Sequence, residues 1–321
     1  MSKRSTVPPP VTAVLDASSR WLPARLGEVE SQLREQSRGH GELLTADLTA
    51  TLAAGGKRLR PLLVLLSAGA GGGEEAVRAA TAIELVHMAT LVHDDVLDAA
   101  PLRRGQPTIA AVSGRARATA AGDLLFSRAF AFLAEHGDRR SVSLLAEASA
   151  ALARGELAQR QDAFDLEISE QRYLERCRLK TAKLFECACR MGSDSEALGS
   201  FGTEIGLAFQ LLDDVLDVSG PPERTGKARG TDLLDGTITL PLILAAAQDP
   251  SIRSADLRAL DPPGAEALCD RIAATGALDQ VRARALAMVA TAKNRLDAAS
   301  SDPEQRQLLG LVADGVVQRY S

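Results

Sequence analysis

The pentad Asp-Asp-Val-Leu-Asp occurs twice, over 94–98 and 213–217, each time closing a long apolar stretch. Three acids in five residues are hard to gather. Two carboxylates about 4 Å apart repel by roughly 4 kcal/mol at an effective dielectric of about 20, unless a cation or proton intervenes. On a helix the first and last acid of each pentad share a face, with a rise of about 6 Å between them. Asp94 with Asp98, and Asp213 with Asp217, therefore each offer a two-carboxylate ledge. A hard cation that keeps several waters and also binds phosphate, Mg2+ above all, suits such a ledge. Two ledges suggest one cation cluster held between two helices.

The rest of the chain reads as helix. Aromatic residues are only 3%, strong helix formers dominate, and apolar residues recur at 3.6-residue spacing without period-two runs. The spacing predicts helices over 11–37, 43–54, 61–70, 74–98, 108–112, 115–135, 140–164, 169–191, 194–219, 239–248, 264–275, 277–299 and 303–319. Glycine and proline clusters punctuate them, notably Gly55-Gly56, the stretch 101–107 and Gly220-Pro221-Pro222. No break is long enough for an interdomain linker. The chain is expected to form one all-α domain over 11–321, preceded by a disordered tail over 1–10. Helices 74–98 and 194–219 are apolar over most of their circumference, which places them in the bundle centre. Both pentads then aim at one cavity. Likeness between the two windows fades outside them, which marks a reused device rather than a repeat.

Composition excludes several classes. At 321 residues, 45% hydrophobic and 25% charged, the chain has the balance of a soluble globular protein. A net charge of −5 argues against nucleic acid as the main partner. Cys177, Cys187, Cys189 and Cys269 are too few and too irregular for a disulfide framework or zinc knuckle, and read as buried thiols. The first ten residues carry no apolar core, so no secretory signal is expected. No apolar run of about 18 residues or more occurs, so no transmembrane span is expected. A cytoplasmic setting fits.

Basic residues cluster beside the acids. His87 lies about two helical turns before Asp94, and Arg103-Arg104 follow the first pentad; alternating acid and base suits metal-bridged phosphates meeting guanidinium groups. Gly55-Gly56-Lys57-Arg58-Leu59-Arg60-Pro61 places cations after a glycine turn that an anion can approach closely. It lacks the P-loop pattern, so nucleotide hydrolysis is unsupported. Lys180 sits inside an apolar helix, where an unpaired charge is costly; Thr181 follows it. Gln210 lies three residues before Asp213, on the same helical side, and Lys227 follows Gly226 in a loop.

With both pentads, the Gly-Gly-Lys-Arg-x-Arg-Pro element, the Arg-Arg pair, Gly226-Lys227 and Thr239-Leu240-Pro241-Leu242 in this order, the chain resembles the trans-prenyltransferases, the polyprenyl diphosphate synthases. The resemblance implies an all-α, single-domain isoprenoid synthase helical bundle around a deep central cavity, acting as a homodimer. It implies Asp94, Asp98 and Asp213 as metal ligands, with Asp214 and Asp217 in support, and about three Mg2+ ions per site. Arg103, Lys180, Thr181, Gln210 and Lys227 match positions contacting the allylic diphosphate. Lys57, Arg60, His87 and Arg104 match positions gripping isopentenyl diphosphate. Thr237 departs from the lysine of many relatives. The implied reaction is metal-assisted loss of diphosphate, then attack on the allylic cation by isopentenyl diphosphate; peripheral membrane association would serve product release. Ala89 and Thr90, one turn before the first pentad, are small, which implies a medium or long product rather than fifteen carbons. A geranylgeranyl diphosphate synthase is the short-chain alternative. A class I terpene cyclase would not need the second cradle of Lys57, Arg60 and Arg104. A dead partner subunit would be expected to lose its acidic motifs, and a calcium loop fits neither pentad.

Overall fold

The computed structural model describes residues 9–18, 20–220, 229–300 and 302–318. Lys227 and nearly all of the tail expected to be disordered lie outside them. The chain runs through α1 (Pro9–Ala17), α2 (Leu22–Gln36), α3 (Glu42–Ala53), α4 (Leu59–Ala68), α5 (Gly73–Leu97), a hairpin of β1 (Leu102–Arg103) and β2 (Gln106–Pro107), α6 (Ile109–Ser113), α7 (Arg115–Glu135), α8 (Arg139–Gln161), α9 (Glu170–Cys177), α10 (Lys183–Gly192) and α11 (Glu196–Ser219). Helices Leu240–Gln248, Pro262–Ala274, Ala277–Ala299 and Pro303–Gln318 complete the bundle. The fold is all-α apart from the hairpin, and among the described residues no helix is long and apolar enough to cross a membrane.

The two pentad-bearing helices are central. α5 packs on α7 and α4, whereas α11 packs on Ala277–Ala299 and α10. α10 also meets α4, α5 and α8, and so ties the two halves together. Both central helices bury one residue after another, from Ala76 to Val96 and from Leu198 to Val218, as helices apolar on most sides must. Close contact between α10 and α11 depends on Gly202: a Cβ there would lie 2.6 Å from the Phe185 carbonyl oxygen. Serine and aspartate caps start α8, α9 and α11, where Asp138, Ser169 and Ser195 accept from the backbone N–H three residues on, satisfying donors a helix start leaves open. All four cysteines are buried and unpaired.

Three local expectations are corrected. The helix expected over 11–37 breaks before Leu22, because Pro23 is tolerated only in a first turn and the buried Ser18 hydroxyl turns back to the Val14 carbonyl. The expected turn over 101–107 is an antiparallel hairpin pairing Leu102 with Pro107 and Arg103 with Gln106. Its two tip residues, Arg104 (φ 52°) and Gly105 (φ 73°), both have positive φ, as a tight hairpin of right-handed twist demands. The helix expected over 169–191 contains a five-residue π-turn, Arg178–Ala182.

Two helical glycines give opposite predictions. Gly202→Ala drives a methyl into the α10 backbone and is expected to cost about 1–3 kcal/mol. At Gly27, exposed on α2 with nothing within 4 Å of an added Cβ, alanine is expected to stabilise by up to ~1 kcal/mol. Urea unfolding of the two variants measures both signs.

Candidate active site

The C-terminal end of α5 carries the first acid cluster. Asp94 is half-buried, and burial pushes its carboxyl up to about 6; Glu156 and Asp98 push the same way, whereas Lys180 and Arg103 oppose them. Asp98 caps the helix, its N–H donating to the Asp94 carbonyl at 2.8 Å, and its carboxylate accepts from Arg160. Asp95 points elsewhere: it is buried and accepts from Arg103 Nε at 2.7 Å. The pentad is thus split, with a ledge of Asp94 and Asp98 and a middle acid that anchors the hairpin.

That anchor delivers Arg104 to the glycine turn. A Cβ on Gly56 would lie 2.9 Å from one Arg104 terminal nitrogen and 3.0 Å from one of Arg58, so both guanidinium groups lie close against the glycine turn. Arg58 begins α4 at φ 48° and pairs with Glu84 at 2.9 Å and with Glu30. Arg60 lies 4.8 Å above the Phe185 ring, a favourable stack for a guanidinium, and its buried Nε has no partner. Burial lowers Arg60 to about 10, with Glu84 opposing and Arg104 assisting. A cavity of about 650 Å3 opens between α3, α5 and the hairpin, bordered by Gly55, Arg58, Glu84, Asp95, Arg103 and Arg104. His87 meets the same cluster: burial first, then Arg60, Arg104, Arg103 and Arg58, hold its pKa well below 6.5. It is therefore a ring held neutral amid cations.

The π-turn joins the two acid motifs. Lys180 pairs with Glu156 and donates to Gln159 Oε1 at 3.2 Å, while its charge is felt at Asp94. Thr181 donates to Gln210 Oε1 at 2.6 Å, and Gln210 precedes the second pentad on α11. The extra residue of the π-turn is gripped on both sides. An added Cβ on Gly155 of α8 would lie 2.6 Å from the Lys180 nitrogen, and one on Gly206 of α11 would lie 2.6 Å from Ala182 Cα. A π-bulge at functional side chains is a recurrent device.

The second pentad differs from the first. Asp214 is buried, and both its oxygens accept inside the fold: Oδ1 from Gln210 Nε2 at 2.7 Å, Oδ2 from Tyr173 O–H at 2.6 Å. Asp217 accepts from the Asp232 N–H at 3.2 Å, and its carbonyl accepts from Gly230 at 3.0 Å, so it secures the chain that returns after α11. The ledge expected of Asp213 and Asp217 therefore has one of its acids engaged with backbone. Among the described residues, no three His, Cys, Asp or Glu side chains are grouped so as to hold a metal ion by themselves. Ala89 is fully buried, and Thr90 is half-buried, its hydroxyl donating to the His87 carbonyl at 2.8 Å.

Several members escaped the sequence reading. Glu156, Gln159 and Arg160 project from the last turns of α8 at helical spacing beside Gly155, a pattern that could have been read. Glu84 and Tyr173 gave no such signal, since an acid and an aromatic within helical patterns look like surface and core.

The chain has close relatives. A family model described as polyprenyl synthetase matches residues 42–267. The chain is 40% identical to a heptaprenyl diphosphate synthase component 2 of Geobacillus stearothermophilus over 75% of this chain and 78% of that one. It is 33% identical to the octaprenyl diphosphate synthase of Escherichia coli over 91% and 94%. A polyprenyl synthase from Caulobacter crescentus, crystallised with calcium and isoprenyl diphosphate, superposes with a TM-score of 0.89 at 33% identity, covering 97% of this chain and 98% of that one.

His87 makes stability depend on pH. Its pKa is depressed by folding, so the unfolded chain takes up the proton first. The associated stability is fully present above about pH 6.5 and is lost as pH falls below it. The stability of the wild type relative to His87→Gln is expected to decline between about pH 7 and about pH 5, by at most ~1.4 kcal/mol per pH unit. Chemical unfolding of both proteins across that range measures the difference; a constant difference would contradict the placement of His87.

Proposed function

Because the chain belongs to the polyprenyl synthetase family, we propose that it joins isopentenyl diphosphate head-to-tail (1′–4) to an allylic prenyl diphosphate, giving an all-trans polyprenyl diphosphate of medium or long chain. The observation that carries this reading is the pairing of two unlike subsites along α5. Carboxylates gather at Asp94 and Asp98, and a separate set of guanidinium groups surrounds His87. One subsite would suffice for ionising a single diphosphate. Two are what a coupling reaction between two diphosphates needs.

The donor set fits Mg2+. It consists of carboxylates, and Asp94 is crowded by Glu156 and Asp98 until burial and repulsion lift its pKa to about 6, a crowding that a cation relieves. The lack of a ready-made three-residue cage suits an ion held by one or two carboxylates, waters and substrate phosphate. Bound to Asp94, Asp98 and Asp213, about three such ions would supply Lewis-acid neutralisation of the charge growing on the leaving diphosphate.

The chain's own residues do the remaining work. Lys180, Arg103 and Lys227 hold the allylic diphosphate. The oxygens of Thr181 and Gln210 face the allylic cation formed as the C–O bond breaks, and stabilise it by fixed dipoles. Lys57, Arg60, His87 and Arg104 grip isopentenyl diphosphate so that its double bond lies against that cation. The partnerless Nε of Arg60 is a donor awaiting an anion, because leaving a buried donor unmade is costly. Neutral His87 adds a hydrogen bond without further crowding the cations. After the new C–C bond forms, a proton passes to the departed diphosphate.

The small side chains of Ala89 and Thr90 leave room for a growing tail, which agrees with heptaprenyl and octaprenyl synthases among the relatives. We assign the working form as a cytoplasmic homodimer that releases product at a membrane surface. The words "component 2" in the name of the heptaprenyl relative make a second polypeptide the alternative partner.

Purified protein given Mg2+, labelled isopentenyl diphosphate and farnesyl diphosphate is expected to form all-trans products of roughly thirty carbons or more. Diphosphate release without consumption of isopentenyl diphosphate would favour a cyclase instead. Ala89→Phe and Thr90→Phe are expected to shorten the product, as seen by reversed-phase chromatography. Unchanged length in both would reject the channel assignment.

A further inference from the structure

Four side chains form an unbroken hydrogen-bonded run from the bundle core to the π-turn. Tyr173 on α9 is 1% exposed and donates to Asp214 Oδ2 at 2.6 Å. Asp214 Oδ1 accepts from Gln210 Nε2 at 2.7 Å. Gln210 Oε1 in turn accepts from Thr181 Oγ1 at 2.6 Å. We propose that Tyr173 is a positioning residue for the coupling step, acting through Asp214 to hold the Gln210 amide with its oxygen, rather than its NH2 group, turned towards Thr181 and the allylic cation. The proposal rests on the roles given above to Thr181 and Gln210.

A glutamine amide has a donor end and an acceptor end of nearly equal shape, and only its neighbours decide which way it lies. Burial lifts the Asp214 carboxyl to about 8, yet both its oxygens accept, Oδ1 from Gln210 Nε2 and Oδ2 from the Tyr173 O–H, and it is this geometry that sets the direction of the run. Gln210 Nε2 is thereby committed to Asp214, and its oxygen is left for the side where positive charge develops. Reversed, the amide would present its positive end to a cation, and a dipole that should stabilise the transition state would oppose it. Tyr173 fixes the carboxylate that makes this choice. Its hydroxyl reaches Oδ2 from a ring locked in the core, with Arg176 at 5.4 Å over that ring. An asparagine at 214 would accept on one side and donate on the other, so the run could lie in either direction.

This reading separates Asp214 from the metal ligands. A ligand acts by charge, and its loss raises the metal requirement. A positioning carboxylate acts by geometry, and its loss lowers turnover at saturating metal.

Steady-state kinetics with Mg2+, isopentenyl diphosphate and farnesyl diphosphate test the proposal well below the unfolding temperature. Tyr173→Phe is expected to lower kcat about tenfold, while both KM values and the half-saturating Mg2+ concentration stay within about twofold. In a Gln210→Ala background the same substitution should lower kcat by less than about twofold, because the group it acts through is gone. Asp214→Asn should behave like Tyr173→Phe, and decides the matter if the phenylalanine variant does not fold. Undiminished kcat in folded Tyr173→Phe, a further tenfold loss in the Gln210→Ala background, or a raised Mg2+ requirement in Asp214→Asn would each overturn the proposal. A wild-type protein that forms no prenyl product would sink the functional reading itself, whereas an active wild type with an unaffected Tyr173→Phe sinks this inference alone.

Discussion

The π-turn that presents Lys180 and Thr181 is the joint on which the site depends. It lies between α8 and α11, and Gly155 and Gly206 let both helices press onto its backbone. Through Lys180 it reaches Asp94 and Glu156; through Thr181 it reaches Gln210, one turn before Asp213. A regular α-helix would rotate every later side chain on that segment by about 100° relative to the π-turn's register. The turn thus sets which residues of α10 are buried among its neighbours. This one segment thus borders both acid motifs, with Lys180 felt at Asp94 and Thr181 donating to Gln210.

Charge organises the other half of the site. Burial first, and then Arg60, Arg104, Arg103 and Arg58, hold His87 well below its usual pKa, while Glu84 and Glu30 pair with Arg58 and Asp95 pairs with Arg103. Glu84 is itself held protonation-prone by burial, against the pull of Arg58, Arg60 and Arg104. Several guanidinium groups gathered side by side suit an anion. The hairpin brings the last of them. With Arg104 at positive φ, a backbone region that residues other than glycine seldom adopt, the tip is strained where it meets the glycine turn, as functional positions often are.

Much of this was legible in the chain. Helix spacing located the bundle, and the ends of α5 and α11 fall within a residue or two of the stretches read from periodicity, because long apolar helices are decided by burial that pattern alone records. The acid pentads, the basic turn and Lys180-Thr181 were legible because each is an electrostatic oddity within its own neighbourhood. What stayed hidden is relational. The π-turn costs one extra residue and leaves no compositional trace. Tyr173 looks like any core aromatic until its hydroxyl is seen against Asp214. The separate roles of Asp94, Asp95 and Asp98 depend on the hairpin and on Arg160, both brought in from elsewhere in the chain. Asp214 and Asp217, alike to the eye in sequence, are set apart by a phenol and a backbone N–H.

The central claim is that the two Asp-rich helix ends serve one allylic diphosphate. A crystal structure with Mg2+ and a thiolo analogue of farnesyl diphosphate, which resists ionisation, tests it most directly. The account predicts a single diphosphate whose metal ions are ligated by Asp94 and Asp98 on one side and Asp213 on the other, with Lys180 in contact with its oxygens. A diphosphate and its metals held by only one motif, with the other helix end facing a separate cavity, would contradict it.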